Sequence, residues 1–151
     1  MNSTEALDPG IDARVRASFA RQAIMTTIGA RMTRLGPGEA EIALPFRADL
    51  TQQHGFLHAG VVATLVDSAC GYAALTRMPA DAAVRTAEYK VNLLAPADGA
   101  SFVARASVLK AGRTLTVARG DAFAVTADGD EKLIATMLAT LMTVRERGIV
   151  D

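Results

Sequence analysis

Apolar positions near the start of the chain recur at helical spacing. Val15, Phe19, Ala23 and Ile24 repeat through about Asp12–Thr27, with Arg14, Arg16 and Arg21 between them. The spacing predicts an amphipathic helix, with Asp12 as its N-cap and the arginines on a solvated face. Residues 1–10, ending in Asp8-Pro9-Gly10, read as a flexible leader; residues 11–151 then make a single domain. Two β-like runs follow, Ile28–Leu35 and Glu39–Phe46, parted by the turn signal Gly36-Pro37-Gly38. In the second run Ala40, Ile42 and Leu44 alternate with Glu39 and Glu41, so one face is buried. Residues Arg47–Phe56 are polar and read as a loop.

The pattern changes at Ala59–Leu75, the one long uninterrupted helical stretch. It is rich in Gly, Ala, Ser and Cys. Glycine inside a helix costs about 1 kcal/mol relative to alanine, so close approach by other backbone explains the choice better than propensity does. The rest reads as strands: Arg85–Leu94, Ser101–Lys110, Arg113–Thr126 and about Lys132–Val144. They are separated at Ala95-Pro96, Ala111-Gly112 and the Ala127–Asp130 turn. Several exceed the usual length of about five or six residues, and long antiparallel strands curl around an object. The small-residue helix is that object, which gives an α+β fold: an antiparallel sheet wrapped around one central helix.

Composition narrows the function classes. At 151 residues, half hydrophobic but only 5% aromatic, the chain supports one compact core without disulfide staples. Sixteen basic and sixteen acidic side chains cancel, which argues against a nucleic-acid partner. No apolar stretch approaches the ~20 residues of a membrane span, and the N-terminus lacks the pattern of a secretory signal. The expected location is the cytoplasm. Cys70 is the only cysteine, read as a small core residue. His54 and His58 lack a third ligand at metal spacing, so no metal is expected.

Two features carry candidate chemistry. The backbone N–H groups at Ala59 and Gly60 begin the central helix and have no intrahelical acceptor. With the helix dipole behind them they suit a developing oxyanion; the plainer alternative is that Gly60 only permits tight packing. Asp67 is the one acidic residue of that helix, flanked by small neighbours. A carboxylate there is either a general base or nucleophile, or a structural group facing solvent or backbone amides. Ala59 and Asp67 are eight residues apart, about 12 Å along the axis at 1.5 Å per residue. One small carbonyl cannot touch both, so a shared reaction requires a two-fold dimer with composite sites.

The stretch His58-Ala59-Gly60, followed by Leu65-Val66-Asp67, resembles the PaaI-like branch of the hotdog-fold acyl-CoA thioesterases. The likeness extends through Thr86–Ala97 and Lys110-Ala111-Gly112-Arg113-Thr114, in order, and covers residues 28–145. It implies a hotdog dimer, often paired again into a tetramer, that hydrolyses acyl-CoA without a further cofactor. Asp67 would be the catalytic carboxylate and the Ala59 amide of the opposite subunit the oxyanion contact. His58 would orient the site, and Gln52 would position water or the carbonyl. Gly60 would flank the substrate, Thr86 supplies a hydroxyl, and Gly112 and Arg113 would lie near the CoA pantetheine or phosphates. Ala59 departs from the family's usual first glycine, but the working part is a backbone N–H. The acyl group expected is medium-chain or aromatic.

Two other readings compete. A hotdog hydratase or dehydratase would use an Asp and a His five positions apart, the spacing of Asp49 and His54. The Asn-Pro expected between them is replaced by Thr51-Gln52, and Asp67 would then have no purpose. A non-catalytic acyl-CoA-binding domain would leave Asp67 dispensable.

Overall fold

Six antiparallel strands form one sheet that curls around a single long helix, the hotdog arrangement anticipated above. The computed structural model describes residues 5–146 and 148–151. The central helix, α3, spans Ala59–Leu75, the bounds the pattern predicts.

The N-terminal region departs from expectation in three places. Helix α1 runs Pro9–Arg21 and starts inside the predicted leader, whose residues 1–4 lie outside the described residues. Its N-cap is Asp8, not Asp12: Asp8 Oδ1 accepts from the N–H groups of Gly10 at 2.9 Å and Ile11 at 3.2 Å. Pro9 takes the first helical position, where a missing N–H costs nothing and the fixed φ suits a helix. Asp12 sits in the first turn and pairs with Arg16 at 2.9 Å. The predicted single helix is also broken at Gln22, after which α2 covers Ala23–Ile28. Gly29 closes α2 in the left-handed conformation, with φ of 80°. Ile28 is therefore helical, and the first strand begins later than predicted.

The strands are β1 (Arg31–Gly36), β2 (Glu39–Pro45), β3 (Ala83–Leu93), β4 (Ser101–Ala111), β5 (Leu115–Val125) and β6 (Glu131–Val144). Their spatial order is β1-β2-β4-β5-β6-β3. A short 3-10 turn, Ala48–Leu50, interrupts the loop before α3. Ala40, Ile42 and Leu44 are all fully buried, as their alternation requires.

The inner face explains the alanine-rich composition. Ala104, Ala106, Ala118, Ala122, Ala135 and Ala139 all lie buried beneath α3. Small side chains on both surfaces let helix and sheet approach closely. Closest of all is Gly120 on β5, where an added Cβ would come within 2.5 Å of Val66 Cγ1 and 2.9 Å of Cys70 Sγ.

Strand β3 is an edge, hydrogen-bonded only to β6. Its register shifts between Thr86 and Glu88. Ahead of this bulge Thr86 pairs with buried Leu141; beyond it Tyr89 pairs with buried Ala139. The extra residue, Ala87, thus moves the inward-facing set from even to odd positions, as bulges beside functional sites commonly do. Thr86 points at α3 because of it.

Candidate active site

Two cavities open beside α3, one at its N-terminal end and one at Asp67, midway along it, and the two share no lining residue. At the N-terminal end His58 is the cap: its Nδ1 accepts from the Gly60 N–H at 2.8 Å, and its carbonyl accepts from Val61 and Val62. An acceptor Nδ1 places the proton of the neutral ring on Nε2. The ring packs so tightly that a Cβ on Gly60 would lie 3.0 Å from Nδ1. A side chain at Gly60 would thus crowd the His58 ring, and the Gly60 amide is already occupied. Among the described residues the Ala59 N–H alone of this pair has no acceptor. Of the two predicted oxyanion donors, the helix start offers the first.

The loop before α3 carries Gln52 to the same end. Its backbone N–H donates to Phe56 O at 2.9 Å, its carbonyl accepts from Gly55 at 3.0 Å, and its side-chain Oε1 accepts from the His54 N–H. Gln52 and Ala59 then line a cavity of about 240 Å3 whose other walls are mainly apolar, including Phe56, Val62, Leu93 and Ile134.

At the other cavity, about 300 Å3 in volume, stands Asp67. Thr86 Oγ1 donates to Asp67 Oδ1 at 2.8 Å. Burial pushes the carboxyl above its ordinary range, and the Thr86 hydrogen bond works against that shift by favouring the charged form. A carboxyl held this way is a better base than an exposed aspartate. Gly71, one turn after Asp67, leaves the space beside it open.

This cavity holds residues that the sequence did not single out for it. Ser18, Arg21 and Gln22 form its far wall. Gln22 Nε2 donates to Ser68 Oγ and Tyr72 Oη donates to Gln22 Oε1, both at 3.3 Å. The signal was present: Ser18 and Gln22 are polar residues at helical spacing from Val15 and Met25, on the stripe that packs inward. Of the three arginines only Arg14 leaves the expected solvated face: it reaches the carbonyls of Met78 at 3.3 Å and Ala82 at 2.7 Å. Arg16 and Arg21 are exposed, and Arg21 also borders the cavity.

Other candidates fall elsewhere. Gly112 and Arg113 are exposed in the β4–β5 turn and border neither cavity. Gly112 is required there because a Cβ would lie 2.4 Å from Leu115 O. Leu115 pairs with Met142, which pairs with Arg85, so the turn stands two strands, about 10 Å, from the Thr86 end of β3. Cys70 is buried with its thiol pushed up to about 12, by desolvation first and the Asp67 charge second. It is no nucleophile at neutral pH. The Asp49–His54 pair does not form a dyad: Asp49 is exposed and bound by Arg47 at 2.6 and 3.0 Å. That hydrogen bonding holds its carboxyl below the usual range, the wrong direction for a base.

The wrapped sheet and its central helix define a hotdog-fold protein. The thioesterase superfamily profile matches residues 54–128, which include Ala59 and Asp67. A Saccharolobus solfataricus protein named "Putative esterase" is 33% identical over 126 residues, covering 83% of this chain and 81% of that one. A crystal structure of a thioesterase family protein from Silicibacter pomeroyi is 57% identical, with a TM-score of 0.87 over 89% of this chain and 98% of the other. The E. coli PaaI protein from the phenylacetic acid degradation operon is 18% identical, with a TM-score of 0.80 over 92% of this chain and 96% of its own, a likeness of fold. The chain belongs to the thioesterase superfamily and is a thioester hydrolase.

Proposed function

We propose that this protein hydrolyses a medium-chain or aromatic acyl-CoA to the free acid and CoA, in a homodimer that pairs further into a tetramer. The observation that carries the reading is the placement of Asp67. It is a half-buried carboxylate with a raised pKa, hydrogen-bonded to Thr86 and facing open space. In the ionised form Asp67 takes a proton from water as that water attacks the thioester carbon. The carbonyl oxygen becomes an anion and is received by the Ala59 N–H of the opposite subunit. Collapse of the tetrahedral intermediate expels the CoA sulfur, which leaves with the proton. His58 keeps the helix start in shape, Gln52 positions the carbonyl or water, and Gly60 flanks them. Gly112 and Arg113 lie along the path of the CoA arm, where a guanidinium suits phosphate. No further cofactor is needed.

The edge strand supports the dimer. Tyr89 and Leu93 face the inner side of the sheet, yet are 44% and 55% exposed. A long unpaired edge with apolar residues beyond its own helix is the kind of surface that a second strand covers. A cytoplasmic location belongs to the same proposal, and among the described residues no helix is long and apolar enough to cross a membrane.

Thiol release over a panel of acyl-CoA esters tests the reading, with the native protein beside Asp67→Ala. The expected loss is about 10² or more in kcat with binding retained, the usual range for a lost base. An unchanged rate in the variant would remove Asp67 from the mechanism and overturn the proposal.

A further inference from the structure

The break between α1 and α2 has no cause in its own sequence. Phe19-Ala20-Arg21-Gln22-Ala23-Ile24 contains neither glycine nor proline, and such a run continues a helix by propensity. Gln22 is nevertheless extended, with φ of −77° and ψ of 93°. What holds it there is tertiary: its amide bridges Ser68 and Tyr72 on α3. The break leaves Arg21 and Gln22 in the wall of the Asp67 cavity. One of the two Gln22 Nε2 protons remains available after the bond to Ser68.

The charges of this cavity are unevenly matched. Asp151 accepts from Ser18 Oγ at 2.8 Å and from the Val84 N–H at 2.7 Å, and the Arg14 charge also acts on it. Its demand is met. Arg21, an exposed side chain that borders the cavity, forms no ion pair among the described residues. Apart from Gly71 and Val84, every side chain lining the cavity is polar or charged. A plain alkyl chain here would strip water from hydroxyls, an amide and a guanidinium without replacing those hydrogen bonds.

From this arrangement we infer that the cavity between α1 and α3 is an acyl subsite for chains that end in a carboxylate, read by Arg21 and Gln22. The inference rests on the proposed acyl-CoA hydrolysis and specifies its acyl group: the mono-CoA thioester of a dicarboxylic acid. Arg21 meets the distal carboxylate in the two-pronged geometry that guanidinium allows, and the spare Gln22 N–H adds a third donor. The chain needs several methylenes, because a second anion close to Asp67 would oppose ionisation of the base. A cavity of about 300 Å3 gives such a chain room beside Asp67.

Adipoyl-CoA and hexanoyl-CoA, equal in chain length, separate the alternatives. With the native protein kcat/KM should favour adipoyl-CoA by about tenfold or more, mainly through KM. Arg21→Ala should bring that ratio close to one, and Arg21→Lys should keep part of it. Calorimetry on Asp67→Asn, which binds without turnover, should show the same preference in Kd. Equal or better use of hexanoyl-CoA by the native protein, or a preference untouched by Arg21→Ala, overturns the inference. If neither ester is hydrolysed the medium-chain acyl-CoA reading fails, while the calorimetric preference still decides the subsite.

Discussion

The two cavities beside α3 are similar in volume and opposite in chemistry. At the Ala59 end the walls are aliphatic and aromatic, and the candidate group is a backbone N–H freed by helix geometry. Midway along the helix, at Asp67, the walls are polar, and the candidate group is a titratable side chain tuned by burial and by Thr86. The first depends on where a helix begins, the second on what surrounds a carboxylate. Substitutions therefore break them differently.

The largest separation should come from Ala59→Pro. Ala59 is the first residue of α3, and His58 before it has φ of −61° and ψ of 137°, conformations that proline accepts at both positions. The change removes one N–H and leaves the helix. A loss of about 10²–10³ in kcat is expected, as for other single oxyanion donors, with the circular dichroism unchanged. Ala59→Gly keeps the amide and should stay within a few-fold of native, by the same principle. A fully active proline variant would remove the helix-start amide from the mechanism.

Mixing Ala59→Pro and Asp67→Ala subunits sharpens the comparison. If each reaction draws on both groups through a two-fold dimer, a mixed dimer has one site with both defects and one site intact. About a quarter of native activity should return after random exchange, since half the dimers are mixed and half their sites work. No recovery would confine the reaction to one chain.

Gly120→Ala should displace α3 and so disturb both cavities together. The added Cβ meets Val66 and Cys70 at less than 3.0 Å, and overpacking of this kind costs about 1–3 kcal/mol. Each kcal/mol lowers Tm by about 2–4 °C in a domain of this size. A calorimetric Tm equal to native would mean that α3 has room to shift.

Thr86→Val should act only at the polar end and more mildly. The Thr86 hydrogen bond favours the ionised carboxylate, so its loss moves the acid limb of kcat/KM to higher pH. An unshifted limb would assign that limb to a group other than Asp67. Linkage gives a companion result for stability. The carboxyl is raised in the folded state; its contribution is fully present below the unfolded pKa and is lost as pH rises through the folded value. Asp67→Asn should therefore melt slightly higher than native at neutral pH, with the difference vanishing toward acid.

Much of this molecule was legible in one dimension. Ala59–Leu75 declared itself by small residues at helical spacing, and Ala40, Ile42 and Leu44 by alternation, because those periods follow from backbone geometry alone. Resemblance implied a useful hydroxyl at Thr86, but its contact with Asp67 was not legible, since a bulge at Ala87 decides which way Thr86 points. Asp8 and Pro9 misled because a turn signal and a helix start use the same residues. The β4–β5 turn was readable as a turn, but its distance from both cavities was not.

By itself the sequence determined the class of fold, the single central helix, and the candidacy of Asp67 and the Ala59 amide, all of which depend on near neighbours in the chain. Only the tertiary structure decided that Gln22 breaks the first helix, that the exposed Arg21 also borders the Asp67 cavity, and that the two candidate groups open into different cavities. Those outcomes depend on side chains more than forty positions away, such as Ser68 and Tyr72 for Gln22, and no local period records such a partner.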